Sequence, residues 1–129
     1  MKLYQRHDAS QTPIELVPCT AGTAYKVGMG LTVASDGSAK VAATSAPEYI
    51  CVADKTGVAG ESVQAVRVDT ADTYVAKLSA AGTSLKVGDK VTIDADGIRV
   101  TATTTSGVAK IVGFTTAAKA AGDSVLIKF

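Results

Sequence analysis

The sequence predicts an all-β fold, a small barrel or sandwich built from two duplicated β-rich halves about a pseudo-two-fold, led by an extended N-terminal arm. Three observations predict it. A stretch over residues 25–37, opening Tyr25-Lys26-Val27-Gly28 and closing Asp36-Gly37, returns 60 residues later, from Leu85-Lys86-Val87-Gly88 to Asp96-Gly97. Each copy places an Asp-Gly pair between β-rich runs, a strong hairpin signal because the type I′ turn needs φ > 0 at both central residues. Finally, Glu61-Ser62-Val63-Gln64-Ala65-Val66-Arg67-Val68 alternates polar and apolar residues, the period of a half-buried strand.

The elements follow in order. Residues 1–22 are polar and mixed, with the single His of the chain and two of its three prolines, Pro13 and Pro18. Proline lacks a backbone donor and pushes its predecessor towards extended geometry, so this segment reads as an extended arm. Ile14-Glu15-Leu16-Val17 within it reads as an edge strand. The first repeat unit then gives a hairpin of 31–33 with 39–43, a turn at 44–47, a strand at 48–53, a loop at 54–60 and the alternating strand. Thr73-Tyr74-Val75-Ala76-Lys77-Leu78 reads as a strand linking the halves. The second unit repeats the order: 91–93 with 98–102, a polar break, 109–114, an Ala-rich loop at 117–122 read as one helical turn, and a last strand. Gly122-Asp123-Ser124-Val125 echoes Gly60-Glu61-Ser62-Val63 at an offset of 62, so the second copy has gained two residues. The chain thus divides into an arm over 1–22 and a single β domain over 23–129, with repeat halves at about 24–68 and 84–129. About four strands per half are too few to bury a core alone, so the halves are expected to share one.

Composition narrows the function. With 13 basic and 12 acidic residues the net charge is +1, which argues against a nucleic-acid wrapper or a polybasic membrane binder. Aromatic residues are 5% of the chain, too few for a base-stacking platform. The N-terminus shows no apolar segment of a secretory signal, and no apolar run approaches the roughly 18 residues of a membrane span. Cys19 and Cys51 lie among apolar residues and read as buried free thiols, with a single bridge between them left open.

Chemical motifs are sparse. Asp94-Ala95-Asp96-Gly97 has the look of a calcium loop, but Thr103 stands where the bidentate Glu would be, so it reads as a hairpin turn. His7 has no partner at a recognisable spacing, and one His with two Cys is a poor metal set. Gly28-Met29-Gly30 lacks the third glycine of a dinucleotide loop. Asp69 and Asp72 read as turn decoration, and Lys26 and Lys86 as solvated loop charges at a repeated position. No catalytic residue, cofactor or metal is expected, and the chain reads as a non-enzyme.

Residues 13–129 resemble the small capsid cement, or head decoration, proteins of tailed bacteriophages. The resemblance is carried by the Val-Gly turn, by Ala46-Pro47-Glu48-Tyr49-Ile50-Cys51-Val52-Ala53, and by Gly60-Glu61-Ser62-Val63-Gln64-Ala65-Val66-Arg67-Val68. In the second copy it is carried by Val112-Gly113-Phe114 and by the closing residues 122–129. It implies a β-rich virion protein, made in the host cytoplasm, that binds the capsid exterior as a homotrimer and clamps major capsid protein subunits. It implies neither nucleic-acid nor membrane partners. Leu3, Tyr4, Arg6, His7, Ile14 and Leu16 of the arm are the expected capsid contacts, as a strand added to a coat-protein sheet edge. The alternatives are a lipoyl- or biotinyl-like carrier domain, a virion fibre or receptor-binding module, and an enzyme with an unfamiliar site. The hairpin tips carry no Met-Lys-Met or Asp-Lys-Ala motif, which weighs against the carrier.

Overall fold

The computed structural model describes residues 1–8, 10–117 and 119–129. Its elements are all strands: β1 (Lys2–Gln5), β2 (Ile14–Pro18), β3 (Ala24–Tyr25), β4 (Gly30–Val33), β5 (Ala39–Val41), β6 (Tyr49–Cys51), β7 (Lys55–Thr56) and β8 (Ser62–Arg67) in the first half. The second half holds β9 (Thr73–Leu78), β10 (Lys90–Ile93), β11 (Arg99–Ala102), β12 (Ala109–Phe114) and β13 (Ser124–Lys128). The all-β expectation holds. The helical turn expected at 117–122 includes Ala118, which lies outside the described residues.

The duplication is plain in the pairing. The first sheet runs β2-β8-β6-β4-β5, and a parallel bridge between Cys19 and Ala39 brings its two ends together. The second runs β9-β13-β12-β10-β11 and closes where β11 lies parallel to β9, with Arg99 opposite Lys77 and Val100 opposite Leu78. Strand for strand the order is the same. Each half therefore encloses a core of its own, where one shared core was expected. The reason is the fifth strand: β2 and β9 each complete a ring that four strands could not close. This also redraws the boundaries. Residues 14–18 belong to the first barrel rather than to an arm, and β9 opens the second unit rather than linking the halves.

The first core gathers Val17, Cys19, Tyr25, Leu31, Ala39, Tyr49, Cys51, Val63 and Ala65. The second gathers Tyr74, Ala76, Leu78, Val91, Ile93, Val100, Ile111, Val125 and Ile127. Inward, buried residues alternate with half-buried or exposed ones along β8 and β13, as the period-two pattern requires. Full burial of each large aliphatic side chain contributes about 1.5–3 kcal/mol. Tyr25 is buried with its hydroxyl satisfied, donating to the Ala39 carbonyl and accepting from the Thr20 amide, each at 2.8 Å. Cys19 and Cys51 are buried and free, and burial pushes the Cys51 thiol above its ordinary range.

The repeated motifs resolve into two turns. In Lys26-Val27-Gly28-Met29 the Met29 amide donates to the Lys26 carbonyl at 3.0 Å, and in Lys86-Val87-Gly88-Asp89 the Asp89 amide donates to the Lys86 carbonyl at 3.1 Å. Gly28 and Gly88 sit at φ +84° and +96°, the third position of a type II turn, where a side chain is disfavoured. The Asp-Gly hairpins are not type I′. Only the glycines, Gly37 and Gly97, have positive φ; Asp36 and Asp96 do not. Gly37 instead follows a turn closed by its amide on the Ala34 carbonyl at 2.8 Å, the longer hairpin that ends in a glycine bulge.

The second hairpin is one residue longer. The Ala34 amide meets the Ser38 carbonyl, whereas the Asp94 amide reaches over to that of Arg99. The extra residue is Ile98, which packs against the first core. Beside it the Gly30 amide donates to the Gly97 carbonyl at 2.7 Å, and the Thr44 amide to that of Ile93 at 3.1 Å. Ala42 and Ile50 reach the other way, into the second core. Where the copies diverge, the two barrels dock.

Candidate interaction surface

The N-terminal segment does not stand free. β1 adds antiparallel to β9, with Lys2 opposite Val75 and Leu3 opposite Tyr74. Met1 is buried and Leu3 half-buried against the second core. The chain thus makes a strand addition within itself: β1 precedes the first barrel and extends the second.

Arg6 and His7 also fold back onto the turn between β8 and β9, Arg6 half-buried and His7 exposed. Asp72 is 1% exposed there. One of its oxygens, Oδ1, accepts the His7 backbone amide at 2.8 Å and lies 2.7 Å from the imidazole Nδ1. The other, Oδ2, is 3.5 Å from Arg6 Nη1. Asp69 Oδ2 is 3.8 Å from Nδ1, and Asp8 Oδ2 is 3.3 Å from Nε2. Arg6 further bonds Thr12 and Ser10 of the descending loop. Asp72 is thus no turn decoration, and it is the residue that sequence reasoning missed. The only signal in the chain was an unpartnered His and Arg near one end and an Asp in a polar turn 65 residues on.

Ligand atoms of His7, Asp69 and Asp72 lie within 4.8 Å of one another, a spacing a metal ion accepts. The arrangement is already an ion-pair cluster, however, with Arg6 beside the free Asp72 oxygen. The hydrogen bond to Asp72 is the largest cause of a raised His7 pKa, with Asp8 and Asp69 adding to it. Burial pushes the Asp72 carboxyl up, but the His7 amide and ring together with Arg6 outweigh it, and its pKa is lowered.

These directions set a pH window. The His7 contribution is complete below the ordinary histidine value of 6.5 and is lost as pH rises through the raised folded value. The Asp72 contribution is complete above the ordinary 3.8 and is lost as pH falls through the lowered value. The arm is expected to be held most firmly between those limits and to exchange its β1 amides faster as pH climbs past the His7 midpoint. Hydrogen exchange corrected for intrinsic rates, with an NMR titration of His7, checks this. A His7 midpoint at or below 6.5 contradicts it.

The remaining expected contacts face solvent. Tyr4, Ile14 and Leu16 are 58%, 60% and 69% exposed, unusual for large apolar side chains. Ile14 and Leu16 stand side by side on the outer face of β2. Its inner residue Glu15 accepts from Tyr49 Oη at 3.1 Å and from Arg67 Nε and Nη2 at 3.2 and 3.1 Å. That fork, with Arg67 over the Tyr49 ring, anchors β2 to the barrel and leaves the outer pair presented. The six expected contacts therefore separate: Leu3, Arg6 and His7 serve the fold, while Tyr4, Ile14 and Leu16 are displayed.

Elsewhere the polar motifs are structural. Both oxygens of Asp96 are engaged, Oδ1 by the Ile98 and Arg99 amides and Oδ2 by Arg99 Nε. Lys26 pairs with Asp54 at 3.2 Å. A cleft of about 590 Å³ beneath the arm is lined largely by apolar residues, among them Leu3, Ile50, Val52 and Val66. Among the described residues, no helix is long and apolar enough to cross a membrane.

By fold the chain is a tandem pair of five-stranded β-barrels, the second closed by a strand ladder and extended by the N-terminal strand, the first closed through a single bridge and presenting an apolar pair. No protein-family model matches it, and no curated protein is significantly similar.

Proposed function

We propose that this protein is a structural component of a tailed-phage virion that binds the outer surface of an assembled capsid and stabilises it. The observation that carries the reading is the exposed apolar pair Ile14 and Leu16 on β2, with Tyr4 exposed on β1, within a chain whose repeat pattern resembles head decoration proteins. A protein that binds only the assembled lattice stabilises it by mass action, by RT ln(1 + [L]/Kd). A trimer engaging several subunits gains avidity without new contacts. The partner is the major capsid protein, and the protein resides on the capsid exterior.

The test is co-sedimentation with purified, expanded capsids, read together with the capsid melting temperature. Binding that saturates and raises the melting temperature is expected. The triple substitution Tyr4→Ala, Ile14→Ala, Leu16→Ala should weaken binding by at least about tenfold, the loss of roughly 1.4 kcal/mol, with the isolated protein's fold unchanged. Absence of co-sedimentation by the wild type would overturn the reading.

A further inference from the structure

The two barrels differ in one respect that duplication makes visible. Register relates their strands residue by residue: Glu15 lies opposite Ala65 as Tyr74 lies opposite Ile127, so Ile14, Glu15 and Leu16 of β2 correspond to Thr73, Tyr74 and Val75 of β9. The hydrogen bonding agrees. The Cys19 amide donates to the Glu61 carbonyl at 2.8 Å, and its counterpart Leu78 donates to Asp123 at 2.9 Å. Backbone direction alternates along a strand. Tyr74 and Ala76 therefore turn their amides to β13, and Thr73 and Val75 turn theirs to the other side, where β1 lies. By the same alternation Glu15 and Val17 face β8, and Ile14 and Leu16 face away from it.

Among the described residues nothing on the first barrel corresponds to β1. Beyond β8, the pairing seen along this edge among them is the bridge at Cys19. Among the described residues the outward backbone groups of Ile14 and Leu16 have no backbone partner, and their side chains are among the most exposed apolar ones. Pro18, at the end of the edge, has no amide to offer, as suits an edge strand. Natural edges are usually blunted by charge or by a bulge. Here the outward side chains are Ile and Leu.

We infer that the β2 edge is a strand-acceptor site, filled by an extended segment of a coat-protein subunit adding antiparallel along Ile14–Leu16. This rests on the capsid reading and names its contact. The filled slot on β9 shows what the empty one accepts: a short strand from outside the ring, with an apolar residue, here Leu3, packed on the core. The β1 strand of a second copy is not available, because Met1 and Leu3 are already packed in that copy's own second barrel. The direction is the reverse of the sequence expectation. The coat chain adds to this protein, rather than the arm to the coat.

Leu16→Pro tests the site. Because the Leu16 amide faces outward, proline there removes an edge donor and leaves the β8 ladder whole. Leu16→Lys is the second variant, placing a charge on the edge with the backbone intact. Three readouts are needed: co-sedimentation with expanded capsids, hydrogen exchange of the 14–18 segment with and without capsids, and light scattering of the free protein. Expected is wild-type binding that protects the Ile14 and Leu16 amides, and about tenfold or weaker binding by both variants. Wild-type binding with those amides unprotected and both variants unaffected overturns the site and leaves the decoration reading standing. Failure of the wild type to bind overturns that reading, and the coat-protein occupant with it. A free dimer that either variant makes monomeric gives the edge to a second copy and overturns the coat-protein assignment.

Discussion

Leu31→Ala is expected to lower the unfolding free energy by about 2–5 kcal/mol, the range for emptying a fully buried leucine site. Leu31 is 0% exposed at the centre of the first core. Its strand is held on both sides, opposite Val41 on β5 and Tyr49 on β6, so the walls of the cavity cannot collapse freely. Against a typical domain stability of about 5–15 kcal/mol this is a large fraction. Chemical denaturation measures it, as a lower midpoint at unchanged slope. Val27→Ala is the control: Val27 is exposed on the type II turn and should change stability by no more than about 0.5 kcal/mol. Equal effects at the two positions would contradict the assignment of Leu31 to a closed core. The docking contacts at Ile98, Ala42 and Ile50 add a second expectation. Damage to one barrel should also lower the unfolding midpoint of the other, read by amide exchange at β13.

Asp72→Ala is the other large effect, expected at about 1–3 kcal/mol, the range for removing a charged hydrogen-bond acceptor from its partners. The His7 amide loses its partner and Arg6 loses its nearest buried anion. The consequence should be local as well as global: β1 should loosen from β9 and its amides exchange faster. Asp72→Asn separates the two causes, because an amide oxygen still accepts from the His7 backbone but no longer balances Arg6. The alanine variant should therefore be the weaker of the two. A wild-type melting temperature for Asp72→Ala, with β1 protection unchanged, would remove the cluster as the fastening of the arm.

Much of the architecture was legible because its signals are local. A Gly after Lys-Val needs no distant partner to become the third residue of a type II turn, and Glu61–Val68 alternates whatever it packs against. The Asp-Gly hairpins were located correctly, although their turn type was not: φ at Asp36 and Asp96 depends on loop length, which cross-strand register decides. Two strands were recognised as strands but given the wrong place, residues 14–18 in an arm and 73–78 as a link between the halves, and they share one property. Each closes a ring through pairings with residues about 50 positions away at Glu15–Ala65 and Tyr74–Ile127, and nothing in a window of eight residues reports such pairing.

The expected contacts show the same division. Leu3, Tyr4, Arg6, His7, Ile14 and Leu16 look alike in sequence, apolar or charged residues in a polar, proline-marked segment. Only in the folded chain do Arg6 and His7 meet Asp72, and only there does β1 find the edge of β9. By itself the sequence determined an all-β, duplicated chain and the positions of its turns, because turn geometry and strand alternation are properties of neighbouring residues. The tertiary structure alone decided that there are two barrels rather than one, which side chains of the N-terminal segment pack on the fold and which remain outside, and that among the described residues one of two equivalent strand slots has no partner. Those outcomes depend on which distant backbones pair and how the rings close, and burial follows from closure rather than from composition.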